Sequence, residues 1–179
     1  MNKNRLLLSI AGGVSLLIGM LYFACAYHII IIRMPVSIEH EAALVAMKKK
    51  ECPIHYWHEN AWHTEKMHLL WSVHDTTNIK QLLNGLFCFL QEENIFNKKI
   101  TIDSVLLTRN NNDAYISFDH LPFTKEESIF EKWMRIESIL KTIHTNIPSV
   151  QNVHFLISHK PMTDAHLDFS QPWPISGFC

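Results

Sequence analysis

At 179 residues, with an apolar stretch at its front, the chain has room for one folded domain and little more. Lys and Arg number 16 against 17 Asp and Glu, a net charge of −1 with both signs interspersed, and this excludes a basic nucleic-acid-binding surface. With 5 glycines in the whole chain and no Gly-rich phosphate loop or GxSxG elbow, nucleotide hydrolysis and nucleophile-elbow chemistry are also excluded.

Lys3 and Arg5 precede an apolar run from Leu6 to Ile32, broken by Ser9, Ser15, a few glycines and His28. A run of that length spans a hydrocarbon core of about 30 Å with residues to spare for tilt. It continues past any convincing cleavage site, so an uncleaved anchor over 6–32 is expected, with lipid as its partner. The basic tail, residues 1–5, then lies on the cytoplasmic side and the domain outside, as a single-pass bacterial membrane protein. Cys25 matches a lipoprotein processing site only faintly. Residues 33–51 read as a connector whose Lys48-Lys49-Lys50 marks the edge of a domain over 52–179.

Within that domain, Pro53–His58 and Met67–His74 read as strands, the second alternating Met67, Leu69, Trp71 and Val73 with His68, Leu70, Ser72 and His74. Glu59–Glu65 serves as a hairpin-type connection. Asp75-Thr76-Thr77-Asn78 offers N-cap residues for a helix that carries Ile79, Leu82, Leu83, Leu86, Phe87 and Leu90 on one face. Ile100–Thr108 and Asp113–Asp119 form a second strand pair across an Asn turn, since Asn tolerates the left-handed backbone region. Thr124-Lys125-Glu126-Glu127 fits a capping box for a helix running to about Thr145, ahead of Pro148. Its apolar stripe is Phe130, Trp133, Ile136, Leu140 and Ile143, supplemented by Ile129 and Met134, with Glu131–Arg135 and Glu137–Lys141 as i, i+4 pairs on the wet side. Val153–Ser158 is the last strand. The expected fold is α+β, a two-layer sandwich of one sheet and two helices in the order strand-strand-helix-strand-strand-helix-strand, preceded by one transmembrane helix.

The pair Ile102–Thr108 and Asp113–Phe118, the helical segment Ile139–Ile143, the stretch Pro148–Ile157 and the tail His166–Pro172 resemble the GerMN domain, a module named for bacterial sporulation and germination proteins. That resemblance implies a non-enzymatic domain held outside the cytoplasm. It also implies assembly with envelope proteins, homo-oligomers and rings included.

Candidate chemistry is sparse. His55, His58, His63, His68 and His74 cluster near the first strands, but His55 and His58 face opposite sides of a strand and no HExxH or CxxC pairing is present. No catalytic residue, metal or cofactor is therefore expected. Cys52 and Cys179 are candidates for a disulfide in an oxidising compartment, while Cys88 reads as a buried helix residue. Tyr56, Trp57, Trp62 and Trp71, with Trp173 near the end, suggest either packing or a partner-binding surface, because Trp and Tyr are favoured at interface centres. The leading expectation is a non-enzymatic assembly or docking module in the cell envelope. The alternative is a small-ligand or metal-binding envelope sensor.

Overall fold

A computed structural model describes residues 48–124 and 126–177, together with Ser15. The fold lies within the unit Ala43–Cys179. It opens with strands β1 (Lys48–His58) and β2 (Ala61–Trp71), so β1 begins inside the stretch read as a connector. The strands pair antiparallel from Lys48↔Trp71 to His58↔Ala61 without a register shift. Their turn is two residues, Glu59 and Asn60, with φ of 49° and 60°. Positive φ at both positions is what a type I′ hairpin demands, and its twist matches that of the flanking strands. Cys52, Ile54 and Tyr56 alternate into the core. The side chain of Asn78 then accepts from Ser72 N at 2.7 Å and donates to Ser72 O at 2.9 Å. This lock ends β2 at Trp71 and leaves Val73 exposed, where the sequence placed it in a strand.

Helix α1 (Asp75–Glu92) buries the expected apolar face. Its cap is His74, without a side-chain hydrogen bond, rather than one of the polar residues after it. Strands β3 (Ile102–Leu107) and β4 (Asp113–Phe118) are antiparallel, with a bulge between Ile102 and Ser104. Helix α2 (Ile129–Asn146) carries the chain across to β5 (Asn152–Ile157), which is parallel to β4. Two-residue strands β6 (Lys160–Pro161) and β7 (Trp173–Pro174) both pair with β5.

The expected single sheet is corrected: β1 and β2 form a sheet of their own, and the other strands form a five-stranded sheet in the order β3-β4-β5-β6, with β7 also on β5. Helix α1 touches both sheets. A side chain at Gly85 would meet Met67 and Leu69 of β2, whereas Phe87 meets Phe118 of β4 edge-on at 6.0 Å. Residues two apart on a helix point to opposite sides, so α1 is wedged between the sheets. The sheets stay separate because helix side chains occupy the edges through which they would join. Thr142 Oγ1 of α2 accepts from His55 N at 2.9 Å and donates to His55 O at 3.2 Å, and Asn146 donates to Pro53 O at 2.7 Å. On β3, Asn84 accepts from Ile102 N and Lys80 donates to Asp103 O.

The expectation of a spanning helix ahead of the domain is also corrected. Among the described residues, no helix is long and apolar enough to cross a membrane. Apart from Ser15, the anchor assigned to 6–32 lies outside the described residues.

Candidate functional site

The five aromatic residues singled out in the sequence do not share one surface. Trp173 is buried against Phe155, Phe169 and Trp133 beside the five-stranded sheet. Tyr56 is buried on the inner face of the hairpin, stacked on His63 at 5.4 Å and tilted on Phe89. Trp71 lies at the far end of that face, with Lys50 Nζ 3.8 Å from its ring centre. Trp57 and Trp62 remain together on the outer face. They are direct register partners, packed edge to face at 5.5 Å.

Phe130 joins this pair, its ring 5.9 Å from that of Trp57. The sequence assigned Ile129 and Phe130 to the inward stripe, but they are 50% and 54% exposed. The reason is the start of α2. Ser128, not Thr124, caps the helix: Glu131 N donates to Ser128 Oγ at 3.2 Å and Ser128 N donates to Glu131 Oε2 at 2.8 Å. Ser128-x-x-Glu131 satisfies the same pattern as Thr124-x-x-Glu127 and lies immediately before the helix. Starting there places Ile129 and Phe130 in the first turn, where Phe130 meets Trp57 on the outer face of the hairpin and not the buried core.

Between the hairpin tip and α2 lies a cleft of about 410 Å³, walled by Trp57, Phe130, Ile95 and Met134 with Arg135 at its side. Arg135 does not pair with Glu131 on a wet face as its spacing suggested. Its guanidinium lies 4.6 Å from the Phe96 ring centre and 3.8 Å from Glu127 Oε1. Burial lowers the Arg135 pKa and raises that of Glu127, and the opposite charge of each partner offsets the other's shift. Arg135 Nε and Glu127 Oε2 find no hydrogen-bond partner among the described residues. Glu137 and Lys141 part company too: Glu137 accepts from Trp133 Nε1, and Lys141 Nζ lies 4.3 Å from the Trp62 ring centre. Ser138 and Lys141 stand at SxxK spacing, which the sequence reading passed over. The buried Ser138 hydroxyl donates to Met134 O at 2.7 Å, so Ser138 and Lys141 have their polar ends committed apart.

Two histidines of the hairpin, His55 and His63, serve packing and strand contacts. His63 Nε2 lies 3.1 Å from His58 O. His55 bridges the sheet to α2, with Nδ1 2.9 Å from Thr64 Oγ1 and Nε2 3.0 Å from Thr145 Oγ1. Burial, aided by the Lys141 charge, pushes its pKa below the usual 6.5. The native state therefore favours the neutral form of His55 more than the unfolded chain does. The unfolded chain gains its proton first as pH falls through about 6.5, and the loss of stability ends once native His55 also protonates. The full chain is expected to melt in less urea at about pH 5.5 than at about pH 7.5, and His55→Gln to flatten that difference. Equal pH dependence in both proteins would assign the effect elsewhere.

Cys52 is a buried free thiol whose pKa burial raises, and Cys179 lies outside the described residues. Cys88, expected to be buried, is exposed because it faces away from both sheets, and its thiol donates to Glu92 Oε1 at 3.3 Å.

No family model matches the chain, and no curated protein matches it. Solved structures similar to it include a protein from Clostridium perfringens described as a lipoprotein, at 17% identity and a TM-score of 0.37, covering 74% of this chain and 90% of that one. The tandem GerMN domains of the sporulation protein GerM from Bacillus subtilis share 15% identity at a TM-score of 0.46, covering 72% of this chain. The match spans 46% of the tandem structure.

Proposed function

We propose that the domain is a non-enzymatic docking module of the cell envelope that engages a protein partner through the outer face of the hairpin and the first turn of α2. The carrying observation is the contiguous Trp57–Trp62–Phe130 cluster, extended by the half-exposed Ile129 and opening onto the 410 Å³ cleft. Large rigid aromatics beside a cleft that accepts a side chain are the usual make-up of an interface centre. The resemblance of the sequence to the GerMN family supports both a non-enzymatic role and the envelope as its place.

A photo-crosslinking residue at position 130 of the full chain, in cells of its source, is expected to give a discrete protein adduct. The same probe at Leu106, 66% exposed on the other sheet, is expected to give none. Phe130→Asp should weaken the captured complex by about 2 kcal/mol or more while shifting stability by no more than about 0.5 kcal/mol. Identical adducts from both positions, or none from 130, would overturn the reading.

One observation favours a second reading, a small-ligand sensor: the cleft volume falls in the range of about 300–1,000 Å³ typical of ligand pockets. Native mass spectrometry of the full chain decides it. A retained small molecule lost on filling the cleft with Met134→Trp would support the sensor, and a bare chain would not.

A further inference from the structure

The edges of the two sheets are treated very differently. That of β1 carries Pro53 and is capped by Thr142 and Asn146. The edge of β3 has a bulge and is capped by Asn84 and Lys80. The outer side of β5 is covered by β6 and β7. These are the ordinary means of blunting an edge. Strand β2 has none of them: it is 11 residues long, free of proline and in unbroken register.

Backbone polarity can be assigned by alternation. His55 N–H and C=O point to α2, so even-numbered residues of β1 bond to odd-numbered residues of β2. The N–H and C=O of Trp62, Thr64, Lys66, His68 and Leu70 therefore face outward, and among the described residues nothing hydrogen-bonds them. Lys66, the charge that would guard this edge, is instead drawn to Glu51 at 2.7 Å on the face of the sheet.

We propose that the β2 edge pairs antiparallel with β2 of a second copy of this chain across a two-fold axis at Thr64, joining two hairpins into one four-stranded sheet. The charges exclude the next two centres along the strand, and Thr64 is the centre that sets Glu65 against a histidine and Lys66 against an aromatic ring. An axis perpendicular to the sheet preserves its faces, so it must pass through a residue and set that residue against itself. Centring on Glu65 or Lys66 opposes like charges directly, which is destabilising. Centring on Thr64 sets Thr64 against Thr64, His63 against Glu65 of the second copy, and Trp62 against its Lys66, each mixed pair occurring twice. Pairs 62–66, 64–64 and 66–62 then exchange about six backbone hydrogen bonds. This goes beyond the docking role, since it uses the backbone edge of β2 and shares only Trp62 with the exposed aromatic face.

Cysteine scanning tests it. In the full chain, purified in mild detergent with Cys52→Ala and the other native cysteines replaced by serine, single cysteines are placed at 62, 64, 66 and 68 and mildly oxidised. Opposed residues of a hydrogen-bonded pair have Cα atoms about 5.5 Å apart, within the disulfide range of about 4.4–6.8 Å. Thr64→Cys should give roughly fivefold more disulfide dimer than the other three positions. Even yields, no dimer, or a maximum elsewhere would overturn the proposal. Should the cysteine-free background fail to fold, Thr64→Pro in the wild-type background keeps the test sharp. Its missing N–H belongs to the outward set, so the hairpin's own ladder is spared. Light scattering should then show a dimer reduced to a monomer with an unchanged circular dichroism spectrum. A monomeric wild type, or a dimer indifferent to Thr64→Pro, refutes the pairing. Phe130→Asp should leave the Thr64→Cys crosslink intact, which separates failure of this pairing from failure of the docking surface.

Discussion

Truncating Asp164 to alanine is expected to destabilise the domain by about 3–5 kcal/mol, the range for breaking a buried ion pair from one side. Lys132 Nζ lies 2.8 Å from Asp164 Oδ2, and the two side chains are 3% and 8% exposed. Without the carboxylate the ammonium stays buried, with the Phe123 ring centre 5.2 Å away as a poor substitute. The other oxygen of Asp164 accepts from His166 N and Leu167 N at 3.0 and 3.2 Å. The same substitution thus loosens the turn that delivers Leu167, Phe169 and Trp173 to the core. Burial alone would raise the Asp164 pKa, but the bonds from Lys132 and these two amides outweigh it and hold the carboxyl below its usual 3.8. Its contribution is fully present above that value and is lost as pH falls through the native pKa. Urea denaturation at neutral pH measures the single variant. The double variant Lys132→Met/Asp164→Leu should recover most of the loss, because apolar groups of similar volume can replace a buried pair. A single-variant cost under about 1 kcal/mol would mean that the pair is hydrated and weak.

Nothing in the sequence near Lys132 announces that pair, and the reason is general to this fold. Element order was legible because each element carries its own period: Ala114, Ile116 and Phe118 at every second residue, and the α1 face at helical spacing. What joins the elements is set by partners distant along the chain. Thr142 and Asn146 read as polar residues of a helix, yet they close the edge of β1 across 87 and 93 residues of sequence. No local pattern reveals that bond, so the sheets were merged into one. The site suffered from a nearer error. Reading the hairpin connection as Glu59–Glu65 hid the two-residue turn at Glu59-Asn60 and, with it, the register that opposes Trp57 to Trp62. The aromatic residues were visible as a group, but their division between two faces follows only from that register. Phe130 was missed for a third reason: two adjacent capping boxes fit the pattern, and the choice between them decides which way the first turn points.

Phe118→Ala should cost about 3–5 kcal/mol, as large-to-small changes at fully buried aromatic positions do. Phe118 ends β4 and has no exposed surface. It meets Phe87 of α1 edge-on at 6.0 Å and stacks on Phe155 of β5 at 6.1 Å. A cavity there removes contacts from the helix and the sheet at once, and the covalently tethered neighbours can collapse only partly into it. In contrast to Asp164→Ala, this loss involves no titrating group, so it should persist unchanged at acid pH. Its reach through the molecule is the more telling measurement. Because α1 packs on β4 through Phe87 and on β2 around Gly85, disturbing one side of the helix should be felt on the other. Native-state hydrogen exchange of Phe118→Ala should therefore show β1 and β2 amides accelerating together with those of β4 and β5, as one cooperative unit. If the hairpin amides kept their wild-type protection, the two-stranded sheet would be an independent folding unit. Its edge and aromatic face would then be presented by a hairpin that does not depend on the five-stranded sheet for its stability.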